Sequence, residues 1–230
     1  MTAAEMSKLS RLGFLLRPNY LNQHQLEEAQ SLCDCFPARP GRAGVRRLLD
    51  RVPQLGPWLE RSGLQRVAEE VLGSTARLRR SIFFDKTPEA NWKAPWHQDL
   101  AIAVKARHDV PGFTAWSVKE GVPHVHPPLD FLEQSLTLRV HLDPCPEDNG
   151  ALRVLPGSHN RGYVSSQAIF QITRDAEPFV CSFPAGGLLL MRPLLLHSSA
   201  SAAQPTRRRV LHLEYCSMPV PPPLQWWEGD

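Results

Sequence analysis

The hydrophobic pattern of this 230-residue chain changes its period near residue 75. Before that point, apolar residues recur at helical spacing over residues 57–73, which predicts one helix ending at Gly73. Another helix is predicted through QHQLEEAQSLCDCF, with Asn22 as its N-cap. Beyond residue 75 the period falls to two, and turn residues separate short apolar runs, which predicts strands. The strand candidates are ARLRRSIFFDK, HQDLAIAV, SLTLRVHLD, ALRVLP, FVCSFP, GLLLMRP and RRVLHLEYCSM.

The proline content also favours a β architecture. The chain has 22 prolines, about twice the usual share of roughly 5%, and proline disfavours helix interiors and central strands. We therefore predict a mainly β fold, a sandwich or jelly roll, with flanking N-terminal helices. We expect one domain over 1–230: a helical part to about 75, a β core over about 76–218 and a Pro-rich tail over 219–230. Trp226 and Trp227 of the tail are expected to pack against the body.

Composition excludes several classes of function. Hydrophobic residues make up 42% and charged residues 21%, and the net charge is only +3, so nothing favours a nucleic-acid or membrane partner. The basic segment 37–56 lacks interleaved aromatic residues and is predicted to be a solvated connection. We find no apolar run long enough for a signal peptide or a membrane span. The five cysteines are scattered, which fits free thiols in a reducing compartment and a cytoplasmic protein.

One polar pair interrupts a predicted strand and indicates a metal site. His97 and Asp99 in WHQDL would lie on the same side of a strand, where an imidazole and a carboxylate can share a metal ion. His197 ends the apolar run GGLLLMRPLLLH and offers a third ligand. Two histidines and one carboxylate form the facial triad suited to non-haem Fe(II), with positions left open for a co-substrate and O₂.

An arginine beyond His197 could bind the distal carboxylate of a 2-oxoglutarate co-substrate. In TRRRVLHLEY, strand alternation places Arg208 on the polar face with His212 and Glu214. A bidentate carboxylate clamp is therefore predicted at Arg208. A β-bulge would change this parity, so Arg209 and then Arg207 stay as alternatives.

The strand SLTLRVHLD has one apolar face and one polar face that carries Arg139 and His141. Two interpretations are open. The strand could be half solvated, or its polar face could form part of a pocket wall.

Three motifs together resemble the phytanoyl-CoA dioxygenase family of Fe(II)/2-oxoglutarate-dependent oxygenases. They are WHQDL, EDNGALRVLPGSH, and AGGLLLMRPLLLHSSA followed by RRRVLHLEY, and the resemblance covers roughly residues 10 to 217. It implies a double-stranded β-helix (jelly-roll) core with flanking N-terminal helices. It also implies functional residues: His97, Asp99 and His197 as iron ligands, Arg208 as the 2-oxoglutarate clamp, and Gln98 near the co-substrate. Arg139 stands where some members have an aromatic residue, and it could contact the co-substrate or an acidic substrate.

The resemblance implies a reaction in which O₂ and 2-oxoglutarate give succinate and CO₂ while a C–H bond of a small or medium-sized metabolite is hydroxylated. Ascorbate could serve as an additional reductant. Related halogenases lack the carboxylate ligand, so the presence of Asp99 favours hydroxylation. The alternatives are a catalytically silent jelly-roll protein that binds a small acid, and a cupin-like enzyme that uses another metal. A monomer or weak homodimer is expected.

Residues 105–134 have little periodicity and are predicted to form an ordered lid. Substrate selection commonly occurs at this place in the family. The substrate-side candidates are Lys105, Trp116, His124, His126 and, from the neighbouring strand, His141.

Overall fold

A computed structural model describes residues 1–36 and 44–229. The helices are α1 (Ala3–Leu12), α2 (Gln23–Cys33), α3 (Leu48–Arg51), α4 (Leu55–Arg61), α5 (Leu64–Leu72), α6 (Leu129–Glu133) and α7 (Ser166–Arg174). The strands are β1 (Phe14–Arg17), β2 (Val45–Arg46), β3 (Arg77–Lys86), β4 (Ala94–His97), β5 (Ile102–Ala103), β6 (Thr114–Lys119), β7 (Val122–His126), β8 (Ser135–His141), β9 (Leu152–Val154), β10 (Phe179–Cys181), β11 (Leu188–Met191), β12 (His197–Ser199) and β13 (Arg208–Cys216).

The strands form three antiparallel sheets. The largest has six strands in the order β1-β11-β8-β13-β3-β2, and a second has four in the order β10-β9-β12-β4. A smaller sheet, β5-β7-β6, contains a hairpin. Residues from both larger sheets line a common cavity, so the polar face of the six-stranded sheet is directed to an interior.

The apolar face of the six-stranded sheet packs against the N-terminal helices. Alternate residues of β8, such as Leu136 and Leu138, join one core cluster with Leu211 of β13, Trp58 of α4 and Leu64 of α5. All seven residues of β8 are buried. The prediction of a half-solvated strand is therefore wrong, because helices cover one face and the second sheet covers the other.

The helix predicted over 57–73 is interrupted, which corrects that prediction. Helix α4 ends near Ser62, and Gly63 adopts a left-handed conformation with φ of 76° before α5 begins. Glycine reaches this conformation at little cost, so the chain turns there although the apolar spacing continues. The Asn22 cap is confirmed, because its side chain accepts a hydrogen bond from the backbone N–H of Gln25.

Several other boundaries differ from the predictions. The predicted strand HQDLAIAV is divided: β4 ends at His97, residues 98–101 are not strand, and β5 follows. The basic connection predicted over 37–56 contains β2 and α3, and its residues 37–43 lie outside the described part of the chain. Sequence reasoning missed β1, which pairs with β11, and the short strand β12.

The predicted lid is ordered but not irregular. It contains the hairpin of β6 and β7, followed by α6. Glu120 in the hairpin turn forms ion pairs with Arg46 of β2, at 3.2 Å, and with Arg51 of α3, at 3.7 Å. These contacts join the lid to the edge of the six-stranded sheet.

The tail packs on the body as predicted. Trp226 is buried in a cluster with Ile102, Val125 and Phe131, and the guanidinium of Arg47 lies 5.0 Å from the Trp227 ring centroid. Across the described residues, no helix has both the length and the apolar character needed to cross a bilayer.

Candidate metal centre

Two neighbouring strands place the histidines of the predicted triad. In the four-stranded sheet, His97 at the end of β4 pairs directly with His197 at the start of β12. Asp99 lies just beyond β4, and its backbone N–H donates a 2.9 Å hydrogen bond to the carbonyl of Pro193. Asp99 therefore reaches the site from a loop anchored to the segment before β12, rather than by strand alternation as predicted.

The three side chains converge. The Nε2 atom of His97 lies 3.9 Å from Asp99 Oδ1, and that of His197 lies 3.6 Å from Asp99 Oδ2. One ligand atom from each residue lies within 4.8 Å of the others. A metal ion could contact all three with small side-chain adjustments.

Hydrogen bonds to the backbone fix the tautomer of both histidines. His97 Nδ1 donates to the carbonyl of Pro95 at 2.7 Å, and His197 Nδ1 donates to that of Leu195 at 2.9 Å. Because a carbonyl only accepts, the ring proton is on Nδ1 in each case. Nε2 is then left with a free lone pair, as a metal ligand requires.

The carboxylate of Asp99 is ionised although it is buried. Burial alone would raise its pKa, but the surrounding histidines, first His197, and Arg80 hold the pKa below its usual range. Burial lowers the pKa of His197 to about 4, against the opposing effect of Asp99. Asp99 Oδ2 has no hydrogen-bond partner among the described residues. A buried carboxylate oxygen without a partner among the described residues, beside two imidazole Nε2 atoms, fits a divalent metal, and this donor set is the one typical of non-haem Fe(II).

A cavity of about 640 Å³ contains this centre, which is within the usual range for small-molecule sites. The triad lies on the wall formed by the four-stranded sheet. The opposite wall comes from the polar faces of β3, β8 and β13. The residues of this opposite wall that line the cavity are Arg80, Ile82, Phe84, Arg139, Arg208 and His212.

The structure distinguishes the three arginines that follow His197. Arg208 is buried and lines the cavity, and its Nε has no hydrogen-bond partner among the described residues. Arg209 is bound to Asp143 at 2.7 Å, and Arg207 to Asp85 at 3.1 Å. The only irregularity in the pairing of β13 with β3 lies after Glu214, beyond the arginines. Of the three arginines, Arg208 is therefore the one that lines the cavity and can donate to a ligand there.

Arg139 is held in a buried network on the same wall. Its Nη1 donates to His212 Nδ1 at 2.7 Å, and His212 Nε2 donates to Glu214 at 2.9 Å. The guanidinium lies 5.4 Å from the Phe84 ring centroid. Burial, and then the charge of Arg208, lower the pKa of Arg139 to about 10. The Nε–H of Arg139 has no hydrogen-bond partner among the described residues, so it could contact a ligand.

Gln98 lines the cavity, but its amide group is bound to the backbone. Its Nε2 donates to the carbonyls of Gly162 and Leu194, and its Oε1 accepts from the N–H of Val164. Both donors of the amide are therefore occupied. These hydrogen bonds hold the loop between His97 and Asp99 in place, and they leave no amide donor of Gln98 free to contact a co-substrate.

Of the five substrate-side candidates, His126 lines the cavity. Lys105, Trp116, His124 and His141 are not among the described residues that line it. His124 is buried and donates to the carbonyl of Val122. His141 is on the same face of β8 as Arg139, but it is buried beside the cavity with its ring stacked 4.4 Å from that of Phe183.

Sequence reasoning missed several residues of the cavity. Ser199 lies two positions after His197 on β12. Because alternate residues of a strand share a face, this spacing could have identified Ser199 as a cavity residue. Three other missed members, Arg46, Arg80 and Lys119, are far from the motifs in the chain, so no local pattern connects them to the site. Trp92 and Lys93 lie close before the WHQDL motif, but outside the predicted strand HQDLAIAV.

Comparison with known proteins agrees with this geometry. The family model described as phytanoyl-CoA dioxygenase matches residues 42–210. A search of curated proteins found no match.

Solved structures share the fold at low sequence identity. EctD from S. alaskensis, with 2-oxoglutarate and 5-hydroxyectoine, superposes with a TM-score of 0.71 at 17% identity, covering 94% of this chain and 76% of that one. The non-heme alpha ketoglutarate dependent carbocyclase SnoK gives 0.70 at 14% identity, over 94% and 84%. HygX from Streptomyces hygroscopicus, with nickel and 2-oxoglutarate bound, gives 0.67 at 14% identity, over 94% and 86%.

These neighbours confirm the predicted jelly-roll core. The family match covers well over half of the chain, and the triad fits the metal that such enzymes use. The chain belongs to the phytanoyl-CoA dioxygenase family of iron- and 2-oxoglutarate-dependent oxygenases.

Proposed function

We propose that this enzyme hydroxylates a C–H bond of a small or medium-sized metabolite, using Fe(II), O₂ and 2-oxoglutarate and releasing succinate and CO₂. The observation that carries the proposal is the convergence of His97, Asp99 and His197 in a cavity that also presents the buried donors of Arg208. The free state of all five cysteines supports a cytoplasmic location.

Each residue of the centre has a defined part in the proposal. His97, Asp99 and His197 would hold iron, and the Nδ1 hydrogen bonds of the two histidines would orient their rings. Bound iron supplies the activation of O₂ that is coupled to decarboxylation of 2-oxoglutarate. Arg208 would bind the distal carboxylate of 2-oxoglutarate, since its neighbours Arg207 and Arg209 are held by aspartates. Ser199 lines the same cavity, but its hydroxyl donates to the backbone carbonyl of Gly150 at 2.9 Å.

The protein also controls what surrounds the metal. Phe84 and Ile82 contribute apolar surface to the cavity, and the lid hairpin contributes Lys119 and His126. Such walls limit access of water and can hold a substrate C–H bond near the metal. Asp99 would supply a protein carboxylate to the metal, which favours hydroxylation over halide transfer. Because SnoK, a neighbour with this fold, is a carbocyclase, the reaction product must be identified in addition to measuring the consumption of 2-oxoglutarate.

The test measures succinate formed from 2-oxoglutarate with Fe(II), ascorbate and O₂, in the presence of a panel of candidate metabolites. Native protein is compared with His97→Ala, and His24→Ala on the exposed face of α2 serves as the matched control. We expect substrate-dependent succinate from native protein and the control, and none above background from His97→Ala. Mass spectrometry of the product should show one added oxygen atom. Equal succinate from native protein and His97→Ala would reject the proposal.

A further inference from the structure

The cavity wall is strongly basic. Among the described residues that line it, six are lysine or arginine and one, Asp99, carries a carboxylate. The six are Arg46, Arg80, Lys93, Lys119, Arg139 and Arg208. A cavity lined by one sign of charge attracts ligands of the opposite sign.

The expected cofactors do not neutralise this wall. Under the proposed function, iron(II), Asp99 and dianionic 2-oxoglutarate together carry a single negative charge. Two of the arginines have acidic partners outside the cavity: Arg80 is paired with Glu214, and Arg46 with Glu120. The other four cations have no ion-pair partner in the described part of the chain, so positive charge is left over after the co-substrate has bound.

One of these four unpaired cations, Lys119, lies between the lid and the sheet edge, beside the ion-paired Arg46 and Arg80. Lys119 ends β6, while Arg46 lies on β2, beside β3, which carries Arg80. Lys119 is an exposed residue, and partial desolvation of its amine, followed by repulsion from Arg80 and Arg46, lowers its pKa. The Nε atoms of Arg46 and Arg80 are buried without a hydrogen-bond partner among the described residues. Unsatisfied buried donors are rare in folded proteins, and a ligand is one explanation for them.

This cluster is distinct from the group that would serve 2-oxoglutarate. Arg208 pairs in register with Lys86 at one end of β3, whereas Arg80 pairs with Glu214 six residues further along β13. Arg46 and Arg139 lie between these ends, in one row across the sheet through Ile82 and His212. One co-substrate that spans from Arg208 to the metal therefore leaves Lys119 without an anionic partner among the described residues, and it leaves the buried Nε atoms of Arg46 and Arg80 unsatisfied.

We propose that the primary substrate is a small organic anion, whose carboxylate or phosphate group is bound by Lys119, Arg46 and Arg80 below the lid. Lys93 follows Trp92, which contacts Lys86 at the Arg208 end of β3, so its charge acts on the same anion from a greater distance. The apolar side chains of Ile82, Phe84 and Trp92 on the same wall would contact the hydrocarbon part of the molecule. This inference rests on the proposed function, because it assigns a substrate class to the same centre.

The test compares matched anionic and neutral probes: hexanoate with hexanamide, and phenyl phosphate with phenol. Each is titrated calorimetrically into the protein, both metal-free and loaded with Fe(II) and 2-oxoglutarate under argon. We expect each anionic probe to bind at least about tenfold more tightly than its neutral partner, as charge-assisted hydrogen bonds provide. The carboxylate and phosphate pairs show which oxyanion the site prefers.

Variants locate the site. Lys119→Gln and the double variant Lys93→Gln/Lys119→Gln should weaken anion binding by about tenfold or more and leave neutral probes unchanged. Lys8→Gln, on the exposed face of α1, removes the same charge far from the cavity and should have no effect. Anionic probes that bind no better than their neutral partners, or a preference that survives the double variant, would overturn the inference.

A separate signal reports on the proposed function. Chelation of Fe(II) by 2-oxoglutarate gives a visible absorption band that should form in native protein and in Lys119→Gln alike. Absence of this band in native protein would contradict the proposed function, while the titrations of metal-free protein would still test anion binding. If an anionic probe binds only by abolishing the band, it has displaced 2-oxoglutarate, and the separate anion site is rejected.

Discussion

His97 and His197 are direct cross-strand partners, with ring centroids 4.1 Å apart. One hundred residues separate them in the chain, yet a single pair of antiparallel strands brings both Nε2 atoms to Asp99. The rigid part of the centre is therefore the β4–β12 ladder. Asp99 is the candidate ligand supplied by a loop, and the hydrogen bond from its N–H to the carbonyl of Pro193 connects that loop to the segment before β12.

Asp99→Asn should remove the stabilisation that metal binding provides. A ligand at one hundred times its dissociation constant raises the free energy of unfolding by about 2.7 kcal/mol. We expect Fe(II) under argon to raise the Tm of native protein and to leave the Tm of Asp99→Asn unchanged. Asp109→Asn, in the loop after β5, is the matched control and should respond as native protein does. A metal-dependent Tm increase of native size in Asp99→Asn would exclude this carboxylate as a ligand.

Arg208→Gln should raise the KM for 2-oxoglutarate, because the clamp would lose a buried charge-assisted contact. Truncating one member of such a pair costs about 2–5 kcal/mol, which corresponds to a KM increase of at least roughly 30-fold. Arg207→Gln is the matched control, since Arg207 is bound to Asp85 outside the cavity. The measurement is succinate formation over a range of 2-oxoglutarate concentrations. An unchanged KM in Arg208→Gln would assign the clamp to another arginine.

Glu120→Gln should loosen the lid hairpin without unfolding the protein. Glu120 is ion-paired with Arg46 and Arg51, and exposed pairs of this kind contribute about 0.2–1 kcal/mol each. Hydrogen exchange of the backbone amides in β6 and β7 should become severalfold faster, while exchange in β8 stays the same. Glu147→Gln, in the short helix before β9, is the control. Unchanged exchange in the hairpin would show that the ion pairs do not hold it.

Glu228 should make stability depend on pH. Burial raises its pKa from 4.5 to about 7, although a hydrogen bond from Ser81 opposes the shift. Between these values the folded protein binds more protons than the unfolded chain, so the free energy of unfolding falls as pH rises through this range. The difference amounts to at most about 3 kcal/mol. Urea unfolding of native protein at pH 5 and pH 8 measures it.

The Glu228→Gln variant separates this effect from other titrations. We expect it to be about as stable as native protein at pH 5 and more stable at pH 8, because glutamine imposes no buried charge. Glu60→Gln, exposed on α4, should follow the native curve. Parallel native and Glu228→Gln stabilities across pH 5–8 would contradict the assignment.

The sequence by itself determined the β-rich core, and it predicted the three candidate metal ligands and Arg208 as the candidate clamp. Alternation of side chains along a strand is local, so the parity of Arg208 could be determined without knowing which strands are neighbours. His97, Asp99 and His197 were predicted from the short motifs WHQDL and GGLLLMRPLLLH, which are also local features of the sequence. The predicted strand HQDLAIAV was less accurate at its boundaries. Strand β4 ends at His97, so Asp99 reaches the site from a loop.

Only the tertiary structure decided which polar residues share the cavity. Arg139 and His141 lie on one face of β8, and the sequence treats them alike. Register places Arg139 opposite His212 at the cavity, whereas His141 lies opposite Val210 and under the Phe183 ring. Lys119 of the lid and Arg46 and Arg80 of the sheet edge come together through pairings between distant segments of the chain. Such juxtapositions depend on sheet register and loop paths, which the local period of a sequence does not encode.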